Sequence, residues 1–144
     1  MAAMSDYLEN QLIDHIFRGA TFAKPAGLHL ALYTVAPTDA GGGTEVTGGA
    51  YARTNMSQGN AGNTDTAGTN LVASAGTTGQ TANSADLIFP APTANWGSIV
   101  AIGIFDAATA GNLLFWSALA TPKTVNNADP APKFLAGQLT TTLA

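Results

Sequence analysis

Hydrophobic and polar positions alternate along this chain with two different periods. Over "SDYLENQLIDHIFRG" the apolar residues Leu8, Leu12, Ile13, Ile16 and Phe17 recur at helical spacing. Ser5 stands at the N-cap position. Asp6 and Glu9 fall in the first turn, where the helix dipole favours acids, and Arg18 and Gly19 close the pattern. The spacing predicts a helix over 5–18. Its apolar stripe is expected to lie on a sheet and be buried there, or in part to dock onto a neighbouring subunit.

After "KPAG" the period drops to two. "LHLALYTV" sends Leu28, Leu30 and Leu32 to one face and His29, Ala31 and Tyr33 to the other. Pro37 ends this strand. "TDAGGGTEVTGG" reads as a glycine-rich loop, followed by a short strand around Tyr51 to Thr54, so the first strands occupy 28–54. From 55 to 85 the chain is almost wholly Asn, Gly, Thr, Ser and Ala. Such a stretch lacks the side chains for a core of its own. It reads as a long polar excursion, with short strands near Leu71–Ser74 and Ala82–Ile88.

The strongest strand pattern lies in 86–144. "DLIFPAP" is a short strand ended by prolines. "SIVAIGIF" alternates Val100, Ile102 and Ile104 against Ile99, Ala101, Gly103 and Phe105. "DAATAGN" is a turn and "LLFWSAL" the return strand. A hairpin apolar on both faces suits central strands covered on both sides. Gly103 among large neighbours predicts a bulge or a close contact with an aromatic ring. "TPKTVNNADPAPK" reads as a turn-rich connection, and "FLAGQLTTTLA" as a last strand with Leu135, Leu139 and Leu143 on one face. The fold expected is mainly β: an antiparallel β-sandwich, jelly-roll-like, with one N-terminal α-helix, in a single domain over 1–144.

Composition narrows the function. Only 10% of residues are charged and the net charge is −4, against about 25% charged in an ordinary domain. The five basic residues, Arg18, Lys24, Arg53, Lys123 and Lys133, lie far apart in the sequence. Binding a phosphate backbone needs clustered Lys and Arg, so no nucleic-acid partner is expected. The absence of cysteine removes disulfides, thiolate catalysis and cysteine-held metals. The N-terminus "MAAMSDYLENQ" carries no basic and apolar export signal. No apolar run approaches the ~20 residues that cross a bilayer, so no membrane partner is expected.

Candidate chemistry is sparse. Asp14 and His15 are adjacent and therefore point to different sides of a helix; His15 reads as a polar-face residue. His29 sits within a strand and reads as a partly buried side chain. Two histidines without a close-spaced partner make no metal site. No G-x-S-x-G elbow is present. The Gly41–Gly43 run lacks the G-x-x-x-x-G-K-[ST] pattern of a phosphate loop and reads as a flexible β–β connection. "NMS" at Asn55 fits the glycosylation sequon, which the missing export signal makes a chance match. No catalytic, cofactor-binding or metal-binding residue is assigned, and no enzymatic activity is expected.

Three blocks, "SDYLENQLIDHIFRG", "LALYTVAPTDAGGGTEVTGGAYAR" and "PTANWGSIVAIGIFDAATAGNLLFW", in this order resemble a family of small tailed-bacteriophage structural proteins, described as tail-fibre-like or virion proteins. The resemblance covers both ends and most of the middle, with 55–85 as its variable part. It implies a virion protein made in the bacterial host cytoplasm and assembled on the particle. The first expectation is a capsid decoration, or cement, protein that binds the major capsid protein shell and stabilises it, with copies of itself as a symmetric dimer or trimer. The alternative is a tail or tail-fibre-associated protein whose partners are tail proteins or a host surface receptor, bound through the 55–85 loops. The resemblance implies no cofactor.

Overall fold

The computed structural model describes residues 3–56, 70–74 and 76–143. In chain order the elements are β1 (Ala3–Met4), α1 (Asp6–Phe17), β2 (His29–Val35), β3 (Thr44–Glu45), β4 (Thr54–Asn55) and β5 (Gln80–Ala82). They continue with β6 (Leu87–Ile88), β7 (Gly97–Phe105), β8 (Leu113–Val125), β9 (Lys133–Phe134) and β10 (Thr140–Thr142). The main sheet runs β1-β8-β7-β2-β3, with β4 sharing the outer edge of β2. Every pairing is antiparallel. Two ribbons, β5 with β10 and β6 with β9, supply the second layer. The protein is mainly β with one helix, as its periodicity predicts.

The β7–β8 hairpin and β2 form the centre because all three strands carry apolar residues on both faces. One face packs Leu30, Leu32, Ile99, Ile102 and Ile104 under the second layer, against Leu87, Phe89, Trp96, Val125 and Leu139. The other holds Ala31, Tyr33, Ala101, Phe105 and Leu113. The alternation in β2 is as the sequence predicts. In β7 it breaks once. The register shifts between Ile99 and Ala101, whose partners are Lys123 and Ala118. Ile99 therefore joins Ile102 and Ile104, while Val100 packs with Ala101. The residues of β8 between those partners absorb Pro122, which cannot donate to a ladder and is tolerated at such an irregularity. The strand thus continues to Val125, where the sequence suggests a connection.

Gly103 sits at a regular ladder position, opposite Ala31 and Trp116. There is no bulge at this position, but the expected aromatic contact is present. A Cβ on Gly103 would lie 2.9 Å from both the Tyr33 ring and Leu113 Cδ1.

The second layer is fixed by aromatic packing and one buried amide. Tyr51 meets Trp96 edge-on at 5.3 Å and stacks on Phe89 at 6.3 Å. Asn83, 1% exposed, donates to the carbonyls of Ala85 (2.8 Å) and Leu135 (2.9 Å) and accepts from Leu139 N–H (2.9 Å). These bonds hold a turn between β9 and β10. That turn breaks the C-terminal strand expected from the leucine spacing: Leu139 is buried, but Leu135 and Leu143 are exposed. Leu71 makes a single bridge to Asn83 in place of a strand over Leu71–Ser74. Residues 57–69 and 75 of the polar excursion, Ser57 of the sequon among them, lie outside the described residues.

The helix is anchored at one end only. Ser5 caps it by accepting from Leu8 N–H. Its hydroxyl also donates to the Leu113 carbonyl, and its N–H donates to the Leu114 carbonyl (2.9 Å). Leu8 is buried, whereas Ile13, Ile16 and Phe17 are 55%, 67% and 80% exposed. The expectation that the whole stripe is buried on the sheet is therefore corrected. The tether reaches the first turns, and the apolar positions of the C-terminal half face away from the body.

Candidate functional site

Three segments meet around a cleft of about 480 Å³, within the size range of small-ligand sites. One wall is the start of α1, with Asp6 and Tyr7. The second is the tight turn Thr38–Gly41. The third is the end of the β7–β8 hairpin, with Gly111, Asn112 and Leu113. Backbone and side-chain bonds set their spacing. Asp6 N–H donates to the Asp39 carbonyl (2.9 Å), and Thr38 and Gly41 exchange two backbone bonds at 2.9 and 2.8 Å. Trp116 Nε1–H donates to Asp39 Oδ1 at 2.9 Å. Asp106 accepts from Asn112 N–H (2.7 Å) and from Asn112 Nδ2–H (2.8 Å), fixing the hairpin turn. Gly43, just past the first turn, has φ +75°, and a Cβ there would strike backbone atoms of Val35, Ala36 and Pro37 within 2.9 Å. Part of the glycine run thus serves a close chain approach, not phosphate binding.

Tyr33, Phe105 and Leu113 from the second cluster line the interior of the cleft. Tyr33 is 4% exposed, and its hydroxyl forms no hydrogen bond with the described residues. Burial raises its pKa, the Glu45 carboxylate adds to the rise, and Arg53 opposes it. The phenol is therefore neutral at ordinary pH, available to donate and to accept. No basic residue lines the cleft, and both charged residues there, Asp6 and Asp39, are acidic. Such a lining offers acceptors and a phenol to hydroxyl groups and repels anions.

On the same side of the sheet lies a buried ion pair. Arg53 grips Glu45 with Nε (2.9 Å) and Nη2 (2.7 Å). Its Nη1 donates to the carbonyls of Ala107 (3.0 Å) and Ala110 (2.8 Å). Burial opposes the Arg53 charge, but the hydrogen bond and charge of Glu45 outweigh it and lift the guanidinium above its ordinary range. Tyr51 donates to Glu45 Oε1 (2.9 Å) and accepts from Leu32 N–H (2.9 Å). Burial is the main cause that pushes its pKa far above the ordinary value. The network ties the hairpin turn to β2 and β3, and every member has a structural partner.

A second, smaller groove of about 260 Å³ runs between β8 and β10 over Ile102, Ile104, Phe115 and Leu139, with no charged residue in its lining. Lys123 and Lys133 come together at a surface hollow that also holds Asp129. Elsewhere Arg18 pairs with Asp14 (3.6 Å) and Lys133 with Asp86 (3.6 Å).

The residues singled out in the sequence are placed apart. His15 is exposed, with Nδ1 2.8 Å from the Ala20 carbonyl just beyond the helix. His29 is 4% exposed within β2. Trp96 is a core residue whose Nε1–H donates to the Gly49 carbonyl (2.9 Å). Among the described residues no group of three or more His, Asp or Glu could hold a metal, and no helix is long and apolar enough to cross a membrane. The cleft itself escapes sequence reading. Its parts lie at 5–7, 33, 39–42, 105 and 111–113, and the local signals that touch it, the Ser5 cap, the Gly41–Gly43 run, the hairpin turn and the alternation that sends Tyr33 to the second face, do not tell that these segments meet.

Residues 3–142 match the model of a family described as Podophage GP4 fiber I protein gp80. No curated protein matches the chain.

Proposed function

The chain belongs to the podophage fibre family that its residues 3–142 match, and from that premise we propose that it is a non-catalytic component of the phage fibre apparatus with a host-surface binding role. The fibre description supports the tail-fibre reading over the capsid cement reading, which nothing in the fold favours. Its partners on the particle are then other fibre or tail proteins.

In this proposal the cleft beside α1 takes an uncharged, hydroxyl-rich ligand of saccharide class. The observation that carries the ligand class is the Tyr33 hydroxyl, which lies in a cleft-lining residue and has no hydrogen-bond partner among the described residues. Asp6, Asp39 and Asn112 line the same cleft. A site built to hydrogen-bond hydroxyls discriminates strongly against ligands that lack them, because its own groups are then left unpaired.

Titration of the purified chain with surface polysaccharide from a susceptible host tests this. Binding is expected to weaken in Tyr33→Phe, with unchanged thermal unfolding because no internal bond is lost. Equal binding by the variant would remove the cleft from the reading. Adsorption by particles lacking the chain, at the rate of complete particles, would remove the host-surface role.

A further inference from the structure

We propose that Trp116 and Asp39 form a second saccharide subsite at the rim of the cleft, in which a sugar ring lies on the indole and one of its hydroxyls donates to Asp39 Oδ2. The inference rests on the cleft reading above and extends it. The ligand is then an oligosaccharide, with one unit in the cleft and the next on Trp116.

The two tryptophans are partnered differently. Trp96 is 5% exposed, and its Nε1–H donates to the backbone carbonyl of Gly49. A core indole needs no more than such an acceptor. Trp116 is half-buried. It packs beside the second cluster, on the sheet face that carries the cleft residues Tyr33, Phe105 and Leu113. The second layer packs on the opposite face. Trp116 is not itself part of the cleft lining, but its Nε1–H donates to Asp39 Oδ1 at 2.9 Å, and Asp39 is. The edge of the indole therefore stands against the rim of the cleft.

Both members are held in place by the fold. Trp116 sits at a regular ladder position, opposite Gly103 and Ala3. Asp39 belongs to the turn that Thr38 and Gly41 close with two backbone bonds and a third from Thr38 Oγ1 (3.0 Å). The bond to Trp116 uses Oδ1 only, and Oδ2 makes no hydrogen bond with the described residues. The pair thus offers an aromatic ring and an anionic acceptor side by side. A pyranose ring carries the matching pair. Its C–H bonds direct partial positive charge at the negative face of an indole, and its hydroxyls stand around its rim. Because the carboxylate lies at the Nε1 edge, a sugar on the indole brings its rim to Oδ2. Tryptophan suits this part, being a large, rigid, amphipathic surface with two side-chain torsions to fix. The carboxylate repels acidic sugars, so this unit is uncharged, as in the cleft.

Fragments of the surface polysaccharide of a susceptible host, separated by length, test this. In the wild type, fragments longer than one unit are expected to shield an indole from acrylamide quenching. That signal comes from Trp116, since Trp96 lies in the core, and Trp116→Phe abolishes it. Trp116→Leu is expected to weaken binding of these longer fragments about tenfold and to leave binding of a single unit unchanged, whereas Tyr33→Phe weakens both. The shielding measurement needs no substitution and decides the matter even where Trp116→Leu fails to fold. Longer fragments that bind in a Tyr33-dependent way without shielding Trp116 overturn the subsite and leave the cleft reading standing. Equal weakening of single units and longer fragments in Trp116→Leu also overturns it, since the ring would then act only by holding Asp39. A wild type that binds fragments of no length removes the cleft reading, and the subsite with it.

Discussion

The guanidinium of Arg53 lies 3.5 Å from the centroid of the Phe105 ring in β7, while its edge holds the carboxylate of Glu45. Its side chain is 8% exposed and that of Glu45 24%. Removing the arginine leaves a half-covered carboxylate and two carbonyls of the hairpin turn without their donor. Arg53→Met is expected to cost about 2–4 kcal/mol, toward the lower side of what breaking a buried pair costs, because water reaches Glu45. Arg53→Lys should recover less than half, since an ammonium cannot reproduce the fork or the ring contact. Urea unfolding of the three proteins decides it; a lysine variant as stable as wild type would show that charge alone matters here.

Gly103 leaves room for neighbours that a methyl group would push aside. The Leu113 tip can rotate, but the Tyr33 ring is held by the sheet. Gly103→Ala is expected to destabilise by about 1–3 kcal/mol, the usual cost of overpacking. It should also displace Tyr33 and so weaken cleft binding more than Tyr33→Phe does. Chemical denaturation and a ligand titration of the same variant measure both effects.

Asn83 makes three side-chain hydrogen bonds, two of them to the turn at 135–139 and one to the Ala85 carbonyl. Asn83→Ala strands two carbonyls and one N–H, for an expected loss of about 2–4 kcal/mol. Amide exchange at Leu139 should accelerate in step. Slow exchange at Leu139 in a destabilised variant would mean that the turn survives without the amide.

Stability should also fall in alkali. Tyr51 and Tyr33 hold their protons more tightly in the folded chain than the ordinary pKa of 10.0. Below about pH 10 both states keep these protons and the contribution is constant. Above it the unfolded chain releases them first, so stability declines as pH rises toward the folded values. The urea midpoint is expected to be level from about pH 8 to 10 and to drop beyond. The slope should flatten in Tyr51→Phe, and a level midpoint at higher pH would contradict the burial argument.

Much of the main sheet is legible in local pattern. Strand β2 and the β7–β8 hairpin declare themselves because apolar residues at period two, bounded by Pro37 and by the 106–112 turn, admit few other conformations. The helix does so through Ser5, its early acids and Gly19. Misreadings fall where local pattern and long-range pairing disagree. Ile99 changes face because β8 carries extra residues opposite it. Pro122 reads as a strand end but lies within that irregularity. Leu135, Leu139 and Leu143 share a strand period, yet Asn83 bends the chain between them. The cleft and the Arg53–Glu45 fork escape altogether, since their residues come from segments tens of positions apart and carry no motif.

By itself the sequence determined the mainly β class, the position of the helix, the two-sided central strands and the lack of any recognisable catalytic motif, because backbone periodicity and residue chemistry are local properties. Only the tertiary structure decided which apolar residues are covered. It buried Leu8 and left Ile16 and Phe17 in water, and it brought Tyr33 into a cleft that Asp6 and Asp39 also line. Burial depends on what the rest of the chain brings alongside, and the spacing along one segment does not contain that information.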